Sequence, residues 1–448
     1  MITSPTFAGK RYAVLGLARS GATTLNALIA SGARVTAWDG DDSRIHAIKA
    51  HFGGDNYPPS SGMPFLSPSA HLEFTDPAQI DLAGFDALVV SPGVPINRHP
   101  IAAKARAADI PILGDIELFA QARPALPPHK VVGITGTNGK STTTALIHHI
   151  CETAGLATRM GGNIGLPILG QDPLPTGGVY VLELSSYQID LTFSLDCDVA
   201  ILLNVTPDHL DRYADFEAYA ASKARLFAMQ SREHAAIIGI GDVPSAAIAR
   251  QFGRRGEHLV KIAPGVCMDQ SRWPALQGPH NAQNALAAIA AAQALGIAEA
   301  DIESALASFA GLPHRMERIA TKHGIAFVND SKATNPESTS PALAAFDRIH
   351  WILGGKAKSD NLEACAPSFG HVLQAYTIGE AAPLFAELLA PHMAVEESGT
   401  LDRAIAAAAA NAVAGDTVLL SPACASFDQF RDFEARGDAF RAAVEALS

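Results

Sequence analysis

Val131-Val-Gly-Ile-Thr-Gly-Thr-Asn-Gly-Lys-Ser-Thr-Thr-Thr144 places an apolar run, a glycine-rich turn and a polar helix start in one stretch. That order predicts a buried strand ending in a loop whose backbone N–H groups wrap phosphate, with the next helix adding its N-terminal amides. Lys140 is placed to reach the outer phosphates of a nucleotide, and the Ser141 hydroxyl to meet Mg²⁺. The stretch departs from the strict Walker pattern, because Ile134 stands where that pattern has its first glycine. A turn of purely structural purpose is the alternative; Gly136, Gly139, Lys140, Ser141 and Thr142 standing together argue against it.

Upstream, Tyr12-Ala-Val-Leu-Gly16 reads as a buried strand, Leu17-Ala-Arg-Ser-Gly21 enters a helix, and Ala33-Arg-Val-Thr-Ala-Trp38 runs into Asp39. Such a β-α-β start offers a glycine turn as an anion site and an acid able to accept ribose or base hydrogen bonds. The G-x4-G spacing is not the dinucleotide fingerprint, so a plain Rossmann-like turn stays open. A third strand, Ala87-Leu-Val-Val90, leads into Ser91-Pro-Gly-Val-Pro95, at the strand end where open α/β sheets bind ligands. Downstream, Glu183 closes the apolar run Val179-Tyr-Val-Leu182, and a carboxylate there suits a hard cation; a capping or surface role is the alternative. His209 ends Thr206-Pro-Asp-His209 after another strand; the flanking Asp208 and Asp211 point to a metal or substrate-orienting imidazole, and a structural histidine is the alternative.

With 448 residues the chain is too long for one core, since domains typically hold about 100 to 200. The proline-rich Gln121-Ala-Arg-Pro-Ala-Leu-Pro-Pro128 and Gly311-Leu-Pro313 mark boundaries. We expect three α/β domains: a Rossmann-like one over 1–118, a P-loop ATPase-like one over 119–311 and a second Rossmann-like one over 312–448. Apolar residues at 48% and charged ones at 17% describe a globular protein with ample core. A formal charge of −12 disfavours nucleic acid as a partner. The five cysteines lack a CxxC pair, against zinc or a disulfide framework. The Ala-rich runs at 285–294 and 404–414 are too interrupted for membrane spans, and no secretory signal is visible, so the expectation is a cytoplasmic chain without membrane insertion.

Thr135-Gly-Thr-Asn-Gly-Lys-Ser-Thr142 resembles the nucleotide loop of the Mur ligases and of their relatives the folylpolyglutamate synthetases. Further segments match in the family's order: Gly161-Gly-Asn-Ile-Gly165, Leu182-Glu-Leu-Ser-Ser-Tyr-Gln188, Asn204-Val-Thr-Pro-Asp-His-Leu-Asp211, His280-Asn281, Leu312-Pro-His-Arg-Met-Glu317, Asn329-Asp-Ser-Lys-Ala-Thr-Asn335 and Leu353-Gly-Gly355. Ser421-Pro-Ala-Cys-Ala-Ser-Phe-Asp-Gln-Phe430 and Phe433-Glu-x-Arg-Gly437 look most like the glutamate-adding member. The resemblance implies an ATP-dependent ligase that joins D-glutamate to UDP-N-acetylmuramoyl-L-alanine through an acyl phosphate, in peptidoglycan synthesis. ATP would be held by Gly136, Thr137, Asn138, Gly139, Lys140, Ser141 and Thr142, with Asn281 and Asn284 near adenine, Asp330 on the ribose and Arg315 clamping the γ-phosphate. The UDP substrate would meet Leu17, Ala18, Asp39, Gly40, Ser91, Pro92, Gly93, Asn163 and His209. Glutamate would meet Lys332, Thr334, Lys358, Ser426, Phe427 and Phe433.

Lys223 aligns with the modified lysine of the family, which implies a carbamate formed with CO₂. With Ser141, Glu183 and His209 it would complete the ligands for two Mg²⁺ ions. The catalytic set is then Lys140, Glu183, His209, Lys223 and Arg315, in a chain expected to work as a monomer. A folylpolyglutamate synthetase-like ligase is the nearest competitor, but residues 1–118 and the Ser421–Gly437 block tell against it. A nonenzymatic nucleotide sensor is the competitor from another class.

Overall fold

A computed structural model describes residues 1–52, 71–208, 212–263, 268–358 and 360–447. The chain divides into two compact units, Met1–Pro264 with Leu286–Glu303, and Gly265–Ala285 with Ser304–Ser448. The first unit holds two sheets and the second unit one.

The first sheet contains β1 (Arg11–Leu15), β2 (Arg34–Trp38), β3 (His71–Phe74), β4 (Ala87–Val90) and β5 (Ile112–Leu113) in the order β3-β2-β1-β4-β5, with every pairing parallel. Its helices are α1 (Arg19–Ala30), α2 (Asp42–Phe52), α3 (Ile101–Ala107) and α4 (Asp115–Ala122). The strand order reverses at β1, between β2 and β4, and the strands' C-terminal ends open a crevice there. Ala87–Val90 is thus the fourth strand rather than the third; His71-Leu-Glu-Phe74 spans four residues of which one is buried, too short a run to stand out. Leu118 lies inside α4, and the passage to the second sheet follows that helix, through the proline-rich stretch.

The second sheet runs β11-β10-β9-β6-β8-β7, again parallel throughout: β6 (His129–Thr135), β7 (Thr158–Gly162), β8 (Gly178–Glu183), β9 (Val199–Leu202), β10 (Ala235–Gly239) and β11 (Leu259–Ile262). The helices α5 (Lys140–Thr153), α6 (Ser186–Asp190), α7 (Phe216–Ala228) and α8 (Val243–Gln251) go with it. β6, β8 and β9 are buried on both faces apart from the first residues of β6, which is why they read as unbroken apolar runs.

After α9 (Pro279–Leu295) and α10 (Glu299–Ser308), the third sheet is mixed, in the order β12-β13-β17-β14-β15-β16. It holds β12 (Glu317–Lys322), β13 (Ile325–Asn329), β14 (Ile349–Gly354), β15 (Val372–Ile378), β16 (Ala394–Gly399) and β17 (Thr417–Leu420), with β12 alone antiparallel to its neighbour. The helices α11 (Pro336–Leu343), α12 (Ala382–Leu389), α13 (Leu401–Asn411) and α14 (Phe433–Ala446) flank it. Buried clusters around Trp351 and Phe385 on one side, and Tyr376 and Phe440 on the other, give this unit its own core. The Ala-rich runs fall in α9 and α13, and no helix of the described residues is long and apolar enough to cross a membrane.

Candidate active site

The phosphate loop leaves β6 at Thr135 and enters α5 at Lys140. Gly139 caps the helix at φ 85°, a left-handed conformation that a side chain disfavours, so glycine is required at that turn. Register then gathers the chemistry, because Ile134 pairs with Glu183, Thr135 with Leu202, and Gly162 with Glu183. The loop, the carboxylate, and the start of the Asn204–Asp208 segment therefore meet at the C-terminal edge of one sheet.

Asn204 braces this loop. Its Oδ1 accepts from the backbone N–H of Thr137 (3.1 Å) and of Asn138 (2.8 Å), and its Nδ2 donates to the Asn138 carbonyl at 3.1 Å. The Thr137 hydroxyl donates to the Thr206 carbonyl and lies 3.2 Å from the Tyr219 hydroxyl. Lys140 Nζ curls over its own loop onto the carbonyls of Gly136 (2.9 Å) and Thr137 (2.7 Å).

Lys223, on α7, is buried and donates to the same Gly136 carbonyl at 2.9 Å, with its ammonium 4.5 Å from the centre of the Tyr219 ring. Burial, and then the nearby Lys140, hold its pKa well below that of an ordinary lysine, against the weaker pull of Asp208 and Asp190. Glu183 is buried; its Oε1 accepts from Asn163 Nδ2 at 3.0 Å, while Oε2 has no hydrogen-bond partner among the described residues. A buried carboxylate oxygen without a partner is costly, and beside a phosphate loop it fits a cation. Ser141 is buried at the start of α5. His209 lies outside the described residues.

A second cleft, of about 630 Å³, opens where the order of the first sheet reverses, and is lined by Gly16, Ala18, Asp39, Gly40, Ser91, Pro92, Gly93 and Asn163 among others. Gly21 enters α1 so close to the strand that a Cβ there would stand 1.8 Å from the Gly16 carbonyl oxygen. The G-x4-G spacing thus serves helix-to-turn packing. Asp39 accepts from the N–H groups of Leu17 (2.6 Å) and Asp41 (2.9 Å) and pairs with Arg44 at 3.3 Å. Burial pushes its pKa up, but these partners outweigh burial and hold the carboxyl below its usual range. Its first task is to shape the turn, and Leu17 contributes through its backbone, its side chain being buried.

In the second unit, Arg315 stands between His314 (φ 61°) and Met316 (φ 47°), two left-handed non-glycine residues. The hook is held by Glu317, which accepts from His314 N–H at 2.9 Å, and by Asp330, which accepts from Met316 N–H at 3.2 Å. Asp330 is buried, and burial pushes its pKa up to about 7, despite Ser421 Oγ at 2.8 Å and the Arg315 charge. Lys358 Nζ donates to Thr334 Oγ1 at 3.3 Å, and Lys332 Nζ lies 3.7 Å from the centre of the Phe433 ring. Ser426 is buried while Phe427 is largely exposed. Asn281 and Asn284, both buried, bond to each other at 3.1 Å.

Arg436 is 1% exposed and donates to the carbonyls of Ser331 (2.9 Å) and Cys424 (3.0 Å) and to Ser331 Oγ (3.0 Å), fastening the loops that carry Lys332 and Ser426. Sequence reasoning gave no role to Asn204, Tyr219 or Arg436. Each has a partner 66 or more residues away, in the loop at Asn138, at Thr137 and at Ser331.

Comparison with known proteins agrees with this geometry. Residues 134–265 match the Mur ligase middle domain, and residues 314–424 match the Mur ligase glutamate ligase domain. A curated relative from Novosphingobium aromaticivorans is 61% identical across all of this chain and 97% of its own length. The chain belongs to the Mur ligase family. That relative, and one from Sphingopyxis alaskensis that is 59% identical with both chains fully covered, are named UDP-N-acetylmuramoylalanine–D-glutamate ligase. Among solved structures, the UDP-N-acetylmuramate-alanine ligase of Thermotoga maritima shares the fold at TM-score 0.56 and 14% identity, covering 98% of this chain and 99% of that one. FolC of E. coli, solved with ADP, superimposes at TM-score 0.54 with 22% identity over 75% of this chain and 94% of its own.

Proposed function

We propose that this family member joins D-glutamate to UDP-N-acetylmuramoyl-L-alanine at the cost of ATP, releasing ADP and phosphate. The observation that carries the reading is a braced phosphate loop set beside a buried carboxylate and a buried lysine, in a chain alike from end to end to relatives of that name. We assign residues 1–118 to the UDP substrate, 119–311 to ATP and 312–448 to glutamate. A carboxylate is a poor electrophile, so the muramoyl-alanine carboxylate first attacks the γ-phosphorus and ADP leaves. The neutral amine of glutamate then attacks the acyl phosphate, and phosphate departs from the tetrahedral adduct.

In this reading the loop N–H groups and Lys140 turn toward the phosphates and carry the charge that builds on the transferring group. Arg315 and Asp330 serve the γ-phosphate and the ribose, Asn281 and Asn284 the adenine, and Lys358 the side-chain carboxylate of glutamate with Thr334, Lys332, Ser426, Phe427 and Phe433 around it. The residues suit Mg²⁺, which Glu183 Oε2 and Ser141 would hold with His209, and which would supply charge neutralisation at the γ-phosphate. Burial that lowers the Lys223 pKa favours its reaction with CO₂, in which the neutral amine gains a carboxylate and releases a proton. A cation thereby becomes an anion suited to a second Mg²⁺.

The test is phosphate release from ATP with UDP-N-acetylmuramoyl-L-alanine and, in turn, D-Glu, L-Glu, D-Asp and meso-diaminopimelate, with Lys140→Ala as control. Release with D-Glu alone, abolished in a folded Lys140→Ala, is the expected result. Equal release with another amino acid would defeat the assignment.

A further inference from the structure

Arg212 follows the Thr206–Asp211 segment and belongs to neither nucleotide loop, yet it touches the rim of the first-sheet cleft. Its guanidinium donates to the carbonyls of Gly93 (3.1 Å) and Val94 (3.3 Å), two residues that line the cleft, while Asn97 Nδ2 returns a bond to the Arg212 carbonyl at 2.8 Å. The planar fork also lies over Tyr187, 4.7 Å from its centre, and Tyr187 immediately precedes the cleft-lining Gln188.

From there a chain of aromatic contacts leads to the phosphate loop. Tyr187 stacks on Tyr213 (6.1 Å, 14°), and Tyr213 meets Tyr219 edge-on at 5.4 Å. The Tyr213 hydroxyl donates to Asp190 at 2.8 Å and lies 3.4 Å from Ser222 Oγ, next to Lys223. Tyr219 ends the chain, its hydroxyl against Thr137 Oγ1 and its ring under the Lys223 ammonium.

We propose that Arg212 is a positioning residue that couples the cleft of the first sheet to the phosphate loop, so that substrate in the cleft tightens the binding of nucleotide. A substrate that orders Gly93 and Val94 also orders the guanidinium fork, the tyrosine stack beneath it, and through Tyr219 the Thr137 and Lys223 side of the loop. The coupling rests on the proposed function, since it takes the muramoyl nucleotide as the ligand of the cleft. By linkage the coupling is mutual: nucleotide tightens the muramoyl substrate by the same factor, so each is held most firmly when the other is bound.

The experiment measures, by calorimetry, the Kd of AMP-PNP with Mg²⁺ in the absence and presence of saturating UDP-N-acetylmuramoyl-L-alanine. The wild type, Arg212→Lys and Arg212→Ala are compared, with circular dichroism to confirm folding. We expect a wild-type ratio of about fivefold or more, in the usual range of coupling between sites. The ratio should fall close to one in Arg212→Ala, with the Kd for AMP-PNP alone changed less than about twofold, because the fork touches no nucleotide contact. Arg212→Lys, which keeps the charge but not the fork, should fall between, and it carries the test if Arg212→Ala does not fold. A purely structural role would weaken both Kd values together and leave the ratio at its wild-type value, and that result overturns the proposal, as does a wild-type ratio of one. Turnover by the wild type separates the two readings: turnover with an unaltered ratio removes the coupling alone, whereas no turnover on this substrate removes the function and the coupling with it.

Discussion

Lys223 and Lys140 place two amines on one carbonyl oxygen, that of Gly136. Two ammonium groups so close repel, and the buried one yields its proton more readily, which is the chemistry carbamate formation needs. Lys223→Ala should therefore abolish turnover and regain part of it in added acetate, and wild-type activity should fall when bicarbonate is stripped; full activity in the variant would end the idea. Asp330 gives a prediction in pH. Its folded pKa, about 7, exceeds the unfolded value, so the folded chain keeps a proton that the unfolded chain releases. The stability it contributes is complete below about pH 4 and is lost as pH rises through about 7, with a slope of up to about 1.4 kcal/mol per pH unit. Asp330→Asn has no such proton to lose. The stability difference between wild type and variant in urea unfolding should change between pH 5 and pH 8, and a constant difference would refute the assignment.

At the scale of elements, α1 lies against the Gly16 turn with no room for one more carbon. Gly21→Ala should destabilise the first unit by about 3 kcal/mol, the upper range for overpacking, and weaken UDP binding in the adjoining cleft. A denaturation midpoint unchanged from wild type would show that α1 can shift freely. The same scale explains what the sequence made legible. β6 and α5, with the glycines between them, declare themselves locally, since strand, turn and helix start are contiguous. β3 and β12 carry mostly exposed or half-buried residues and lack the apolar pattern of the central strands. Asn204 and Arg436 are polar residues whose purpose lies in distant backbone groups, and no local pattern reports that.

For the whole molecule, each unit has its own buried clusters, around Phe119 and Leu88 in the first and around Trp351 and Tyr376 in the second. Calorimetric unfolding should therefore depart from a single two-state transition, and saturating UDP substrate should raise the midpoint of one component more than the other. A single two-state peak, displaced as a whole, would contradict this. The thiols have a consequence of another kind. Cys151, Cys197, Cys365 and Cys424 are fully buried, and burial pushes each thiol up to about 12, far from the thiolate that alkylating warheads and peroxide require. None of these four positions offers a covalent drug a foothold while the chain is folded, so an inhibitor gains nothing by reaching for them and is better held by shape and charge in the cleft of the first sheet.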